Sequence, residues 1–401
     1  MRILVFHNWY QQPGGEDNVV RTEMALLADR GHAVELLDAD NRTIATWLSK
    51  VQTAGSVAHS PSAQKHVAEE LARVQPDIVH VHNYFPLLTP AILDACRDAR
   101  VPVVHTLHNF RLLCPGATLL RDGRPCELCV TGSTVNAIRY RCYRDSYAGS
   151  AAVAWMVGLH RYLHTFERQI DRFIALTDFA KSVFVRAGFP EDLIAVKPDA
   201  TLDPIALYGA SPSPPTDGAS ALYLGRLSPE KGVQGLLKAW RDVPRILRVA
   251  GAGPMETLVE SAARDPRERV TYLGQLSPEA AHRELAQAQF LVMPSRCYEG
   301  FGIVIIEAFA HGIPVLASRL GSMAELVDDG VTGLLFEPGD AKDLARKATW
   351  LFEHPEDARR MGLAARRVFE DRYTLERNYH RLMGIYADAT QHAGQRVESS
   401  S

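Results

Sequence analysis

Ser295-Arg-Cys-Tyr-Glu-Gly-Phe-Gly-Ile-Val-Ile-Ile-Glu307 joins two apolar segments through a turn that carries a carboxylate. Before it, residues 290–294 read as a parallel strand buried on both faces; after it, residues 303–310 read as a helix apolar on most sides. Strand, glycine turn and helix in that order are the repeating unit of an α/β fold, whose ligands sit beyond the carboxyl ends of the strands. Gly300 and Gly302 flank Phe301 and let the backbone approach a ligand. The first amides of the following helix present free N–H groups and the positive end of its dipole. An anion or a polyhydroxylated molecule suits such a turn. Glu299 sits in the turn itself, and Glu307 lies within the apolar helix, where a carboxylate needs a polar partner such as sugar hydroxyls.

Upstream, Gly225-Arg-Leu-Ser-Pro-Glu-Lys-Gly232 follows another apolar strand at 221–224 and leads into a helix ending near Trp240. Arg226 and Lys231 allow two readings. Either the loop is merely charged and solvated, or the two cations meet the phosphates of a diphosphate, Arg226 as a bidentate fork and Lys231 as a point charge. Further strands are expected at 246–253, 270–274 and 312–317, and helices at 321–327, 341–354, 355–369 and 373–387, followed by a disordered tail over 391–401.

The N-terminal half repeats the α/β alternation. A strand at 3–6, a loop containing Pro13-Gly14-Gly15-Glu16, a helix at 18–30 and a strand at 32–37 make a Rossmann-type opening. The loop is not Gly-x-Gly-x-x-Gly, which argues against a dinucleotide cofactor; Gly14-Gly15 either offers amides to a phosphate or simply turns the chain. Strands at 77–82 and 101–107 flank a helix at 90–98, and the second runs into His108, either a ligand-positioning group or a histidine bonded to its own loop. A strand at 173–176, a helix capped by Thr177 and closed by Gly188, and a strand at 194–197 complete this half. Residues 208–220 form a Pro/Ser/Gly-rich linker by composition.

Two stretches stand apart. Cys114, Cys126, Cys129 and Cys142 surround a hairpin expected at 119–125; a structural zinc site, reduced structural cysteines and a redox-sensitive Cys126/Cys129 dithiol are all open readings. Residues 136–172 are basic and aromatic. Trp155, Met156, Leu159, Tyr162 and Leu163 on one side of a helix, with Arg161 on the other, describe either an ordinary amphipathic helix or one that lies on an anionic membrane surface.

With 401 residues, 46% apolar and 23% charged, the chain reads as two or three soluble globular domains. A net charge of −3 gives no general case for nucleic acid, and a zinc nucleic-acid module in the Cys/Arg segment fits neither that charge nor the two α/β halves. The weakly polar run at 148–159 is too short to span a bilayer, and no secretory signal is visible, so a cytoplasmic setting is expected. Six cysteines in that setting are expected as thiols or metal ligands.

Taken together, Gly225-Arg226-Leu-x-x-x-Lys231-Gly232 followed by Glu299-x7-Glu307 resembles the retaining nucleotide-sugar glycosyltransferases of family 4. The resemblance implies the GT-B architecture: two Rossmann-like domains facing across a cleft, with a C-terminal helix crossing back to the first. On this pattern 1–207 is an acceptor domain carrying a cysteine-containing insert at 110–145, 208–220 a linker, 221–372 a donor domain, 373–390 the crossover helix and 391–401 a tail. It also implies roles: Arg226 and Lys231 on the leaving diphosphate, Glu299 on donor-sugar hydroxyls, amides near Phe301 and Gly302 facing the donor, Glu307 on the ribose and Gly15 capping the diphosphate. His108 would position sugar or acceptor; Asn109 stands where the family commonly has Asp, so no general-base role is carried over. Pro198-Asp199-Ala200 replaces the family's Pro-Asn-Gly, and no contact is assigned there. The expected donor is a UDP-, GDP- or ADP-sugar and the acceptor a saccharide or lipid-linked precursor, with a peripheral position on the inner membrane face. With two cations on the phosphates, catalysis needs no divalent metal. A sugar phosphorylase and a nucleotide-sugar epimerase are rival activities on the same fold.

Overall fold

The computed structural model describes residues 1–11, 14–208 and 220–398. The expected linker, apart from Tyr208 and Ser220, and Pro13 lie outside them. The chain divides into two compact units, one comprising Met1–Arg121, Cys126–Asp199 and Asn378–Ser401, the other Asp122–Pro125 and Ala200–Arg377.

In the first unit, strands β1 (Arg2–Trp9), β2 (Ala33–Asp40), β3 (Ile78–Val81) and β4 (Val103–Leu107) are followed by the two-residue strand β5 (Leu120–Arg121) and then, past the two-residue β6 (Arg124–Pro125) of the second unit, by β7 (Arg172–Ala175) and β8 (Ile194–Val196). The main sheet has the order β2-β1-β3-β4-β7-β8 and is parallel throughout. Ile3, Leu4, Val5 and Phe6 are at most 1% exposed, as expected of strands covered by helices on both faces. The order reverses between β1 and β3, the doubly wound pattern in which ligands gather at the switch point.

The second unit contains β9 (Ser220–Leu224), β10 (Leu247–Ala250), β11 (Val270–Gly274), β12 (Ala288–Met293), β13 (Val315–Ser318) and β14 (Gly333–Phe336). Their order, β11-β10-β9-β12-β13-β14, is that of a dinucleotide-type Rossmann sheet, again parallel, with its switch point between β9 and β12. Trp240, Val243, Phe290 and Leu351 fill the core on one side of this sheet.

Several expected boundaries move. The first helix spans Gly15–Asp29, beginning three residues early because Gly14 is its N-cap and its amide donates to Asp17. Helices Trp47–Ser56 and Pro61–Val74 occupy a stretch that periodicity left unassigned, and β14 was likewise not anticipated. Residues from Ala200 onward belong to the second unit, not to the first as far as 207: Asp203 accepts two bonds from Arg366, at 2.8 and 2.7 Å, and the Thr201 amide reaches the Tyr373 carbonyl. The expected tail is helical instead. The helix Leu375–Glu398 runs eight residues past 390, because His392 and Arg396 pair with the fully buried Asp171 and Ala393 is itself buried. From Asn378 this helix belongs to the first unit. Residues 399–401 are outside the described range.

Candidate functional site

In the second unit the two strands at the switch point each end in a polar loop. After β9 come Arg226 and Lys231; after β12 come Ser295, Glu299 and the glycine turn. Gly232 brings the loops together: its φ is +75°, and a Cβ there would stand 1.9 Å from the Pro294 carbonyl oxygen, so only glycine fits. The result is an ion pair that spans 68 positions of sequence. Lys231 Nζ donates to both oxygens of Glu299, at 2.8 and 2.7 Å, and Ser295 Oγ donates to Glu299 Oε1. Ser322 Oγ secures the turn through the carbonyls of Glu299 and Gly300.

The electrostatics favour ionisation of both partners. Burial pushes the Glu299 carboxyl up, but Lys231, Ser295 and the nearby Arg226 outweigh it, leaving it below the usual carboxylate range. Burial likewise opposes the Lys231 charge, and Glu299 more than restores it. Lys231 and Glu299 were expected as separate contacts; here the carboxylate holds the ammonium. Arg226 is exposed, with no hydrogen bond or ion pair to its guanidinium among the described residues, while its carbonyl is fixed by the Tyr223 hydroxyl at 2.7 Å.

Gly302 caps the helix Ile303–Ala310 at φ +97°. Phe301 is 4% exposed and its ring packs edge-on against Tyr373, so the ring itself is not offered to a ligand. Glu307 is half-buried on this helix. Its carboxylate has no partner among the described residues, and burial alone raises its pKa to about 7. A polar group so placed is short of a hydrogen-bonding partner.

In the first unit a cavity of about 30 Å³ opens at the ends of β3 and β4, lined among others by Tyr10, His82, His108, Asn109 and Arg111. His108 shares a 2.9 Å hydrogen bond with His82. Burial above all, with the neighbouring His82 adding to it, holds His108 well below its ordinary pKa, so it is a neutral imidazole at pH 7. Asn109 donates to the Tyr10 hydroxyl, which donates to Glu16, the residue after Gly15 at the helix start. Burial raises Glu16 to about 8. It is therefore largely protonated at neutral pH, and the exposed helix N-terminus at Gly15 carries no full negative charge from Glu16 to repel an anion.

Behind His82 lies a network that the sequence did not reveal. Glu23 Oε1 is 3.2 Å from His80 Nδ1 and 3.3 Å from His82 Nε2; Glu23 Oε2 accepts from Lys197 Nζ at 2.8 Å, and Lys197 also reaches Asn378. Lys197 is 1% exposed. Among the described residues, Glu23, His80 and His82 are the set of three whose ligating atoms all lie within 4.8 Å. The lysine ammonium already sits on the other oxygen of that carboxylate, and His80 bonds Tyr386 and Thr106 through its two nitrogens, so the three side chains form an internal polar network around a buried ion pair. Two histidines at alternate positions of a buried strand, and a lysine ending another, were the available signals.

The four insert cysteines line one cavity, with Leu120, Leu128, Asn136 and Tyr140. Burial first, then Cys114, Cys142 and Cys126, push the Cys129 thiol up to about 12. The helix Tyr147–Tyr162 corrects the expected apolar stripe. Met156 is buried with Val153 and Val157, whereas Trp155 and Tyr162 are 64% and 82% exposed. Arg161 is partly buried and clamps the carbonyls of Cys129 and Val130 at 2.7 and 3.0 Å. Among the described residues no helix is long and apolar enough to cross a membrane.

Comparison with known proteins covers both units. Residues 13–199 match the family described as Glycosyltransferase Family 4, and residues 210–368 match Glycosyl transferases group 1. The chain is 35% identical over 305 residues to the D-inositol 3-phosphate glycosyltransferase of Nocardia farcinica, covering 72% of this chain and 61% of that one. It is 32% identical over 179 residues to the alpha-D-kanosaminyltransferase of Streptomyces kanamyceticus, spanning 43% of this chain and less than half, 46%, of that relative. The fold is shared with Anabaena HepE, solved in complex with UDP, at a TM-score of 0.67 and 20% identity over 96% of this chain and all of that one. With both halves matched in order, two parallel Rossmann-like sheets and a C-terminal helix that joins the first unit, the chain belongs to the family 4 glycosyltransferases of GT-B fold.

Proposed function

We propose that the chain moves a glycosyl group from a nucleoside-diphosphate sugar to a hydroxyl acceptor with retention of configuration. The observation that carries this reading is the Lys231–Glu299 pair at the switch point of the second sheet, beside Arg226 and the carboxylate of Glu307, neither of which has a hydrogen-bond partner for its charged group among the described residues. Lys231 and Arg226 take the diphosphate, Glu307 the ribose hydroxyls, and the amides at Phe301 and Gly302 the donor. Glu299 meets the sugar hydroxyls with the lone pairs that Lys231 leaves open. In the first unit the exposed helix start at Gly15 offers amides to an anion, and neutral His108 orients sugar or acceptor. The second unit thus serves the donor and the first the acceptor. As the bond from the anomeric carbon to the phosphate oxygen breaks, charge grows on the diphosphate where two cations are already placed. That oxygen takes the acceptor's proton while the acceptor oxygen bonds to the same face of the sugar. No divalent metal and none of the cysteines enters the reaction. The relatives named are transferases, which favours transfer over epimerisation or phosphorolysis.

Thermal melting with UDP, GDP and ADP sugars tests the donor site. One nucleotide series raises Tm by several degrees, since saturation at 100 times Kd adds about 2.7 kcal/mol. The increment disappears in Glu307→Ala. A folded protein that responds to none of the three series overturns the reading.

For the acceptor, the exposed apolar side chains support a lipid-linked substrate at a membrane surface. Trp47, at 77% exposure, with Leu48 and Val51 extends from the helix Trp47–Ser56, which packs on Tyr147–Tyr162 with its exposed Trp155. Aromatic side chains of this kind settle at the headgroup level. Co-sedimentation with vesicles containing anionic lipid is expected for the parent and reduced at least fivefold in Trp47→Ser/Trp155→Ser, roughly the loss of two interfacial anchors. Equal sedimentation of both proteins, or none of either, assigns a soluble acceptor.

A further inference from the structure

We infer that Cys114, Cys126, Cys129 and Cys142 bind one zinc ion that holds the 110–145 segment in shape, independently of the transfer reaction. Four positions separated by up to 28 residues of chain converge on one cavity with about 10 Å³ of free space. Its wall contains no carboxylate and no imidazole. The other lining residues are Leu120, Leu128, Asn136 and Tyr140, and the Asn136 amide is already spent on the carbonyls of Leu128 and Ser133. A donor set of sulfur alone selects a soft or borderline ion, and four thiolates with no open position describe a closed structural zinc site.

The backbone around each ligand is fixed. The amides of Cys114, Cys126 and Cys142 donate to Phe110, Leu119 and Ala137, and Arg161 holds the Cys129 carbonyl. The adjacent Gly116 lies against both Cys114 Sγ and the Cys142 backbone. Among the described residues no three of these sulfur atoms lie within 4.8 Å of one another, so binding draws them inward by side-chain rotation while the backbone stays. Four Zn–S bonds form and four thiol protons leave to solvent, giving a centre of net charge −2. The surroundings suit that charge. Arg121 and Arg139 stand over the ring of Tyr140, in the cavity wall, at 4.2 and 5.4 Å.

A second, independent observation shows what the ion is for. Of the eleven non-glycine residues with positive φ among the described residues, six lie in this segment: Ala117, Leu119, Asp122, Arg141, Arg144 and Asp145. Its regular structure amounts to two two-residue strands and one five-residue helix. Conformations of that kind persist only where the surroundings over-determine them, and so small a set of elements encloses little core. A four-coordinate ion tying both ends and the middle of the segment supplies the missing constraint.

The full-length protein, purified under reducing conditions without chelator, is expected to contain about one zinc per chain by elemental analysis. Mercurial titration should release it in step with four thiols, separately from the buried Cys96 and Cys297. Cobalt added to the metal-free chain should develop the intense visible bands of a tetrahedral thiolate site, and Cys129→Ser should lose both zinc and spectrum. If that variant fails to fold, titration of the parent protein decides alone. Zinc-free protein with independently reacting thiols, an anaerobic preparation carrying a Cys126–Cys129 disulfide, or full zinc content in the fourfold serine variant would each overturn the assignment.

Discussion

Lys231→Ala is expected to lower kcat by about 10²–10³-fold, the loss typical of removing one preorganised group from the site of developing charge. The geometry adds a second effect. Alanine leaves the Glu299 carboxylate, 8% exposed, with Ser295 and the more distant Arg226 as its remaining support, so stability falls by roughly 1–3 kcal/mol. The two effects separate in Lys231→Ala/Glu299→Gln. Neutralising the stranded carboxylate restores most of the melting temperature, because a neutral amide no longer needs a cation. Turnover stays low, because the charge opposite the diphosphate is still missing. Nucleotide release measured over a donor titration distinguishes them. Turnover within about threefold of the parent in either variant would remove Lys231 from the mechanism.

The largest loss of stability is expected from Lys197→Met. Methionine fills similar volume but leaves Glu23 ionised and buried beside two histidines that burial keeps neutral. Breaking such a pair from one side costs about 3–5 kcal/mol, on the order of 10 °C in the melting of a unit this size. The pH dependence carries the signature. Burial alone would raise the Glu23 pKa, but Lys197, His80 and His82 bring it well below the usual value. Its contribution is therefore fully present above an unfolded pKa of about 4.3 and is lost as pH falls through the lower folded value. In the variant the carboxyl is raised instead, so the deficit is greatest at pH 7 and shrinks toward pH 4. Glu23→Gln/Lys197→Met should recover most of the loss. A single variant melting within about 2 °C of the parent at pH 7 would show that the pair adds nothing.

The strand-turn-helix units were legible because each rests on local signals. A buried parallel strand needs a short apolar run, and a glycine or proline ends it; 221–224, 270–274 and 303–310 emerged with little displacement. The start of the first helix was misplaced because Gly14 serves as a cap without the side-chain oxygen that usually marks one. The last helix was cut short because its polar end looks solvated in one dimension, yet His392 and Arg396 meet Asp171 more than two hundred positions earlier. Trp155 and Met156 were assigned one face, although neighbours in a helix are about 100° apart and only packing decides which is buried.

By itself the sequence determined the α/β class, two halves of alternating strands and helices, and the order of the two loop motifs at 225–232 and 299–307, since periodicity, glycine placement and residue chemistry act over a few positions. Only the tertiary structure decided the rest. Strand order put the switch points at β1/β3 and β9/β12, bringing Lys231 onto Glu299 and Lys197 onto Glu23. Folding likewise gathered the four thiols around one cavity and left Glu307 half-buried with a pKa near 7. These are properties of distance and dielectric, and both are fixed by which elements pack together, not by the residues on either side in the chain.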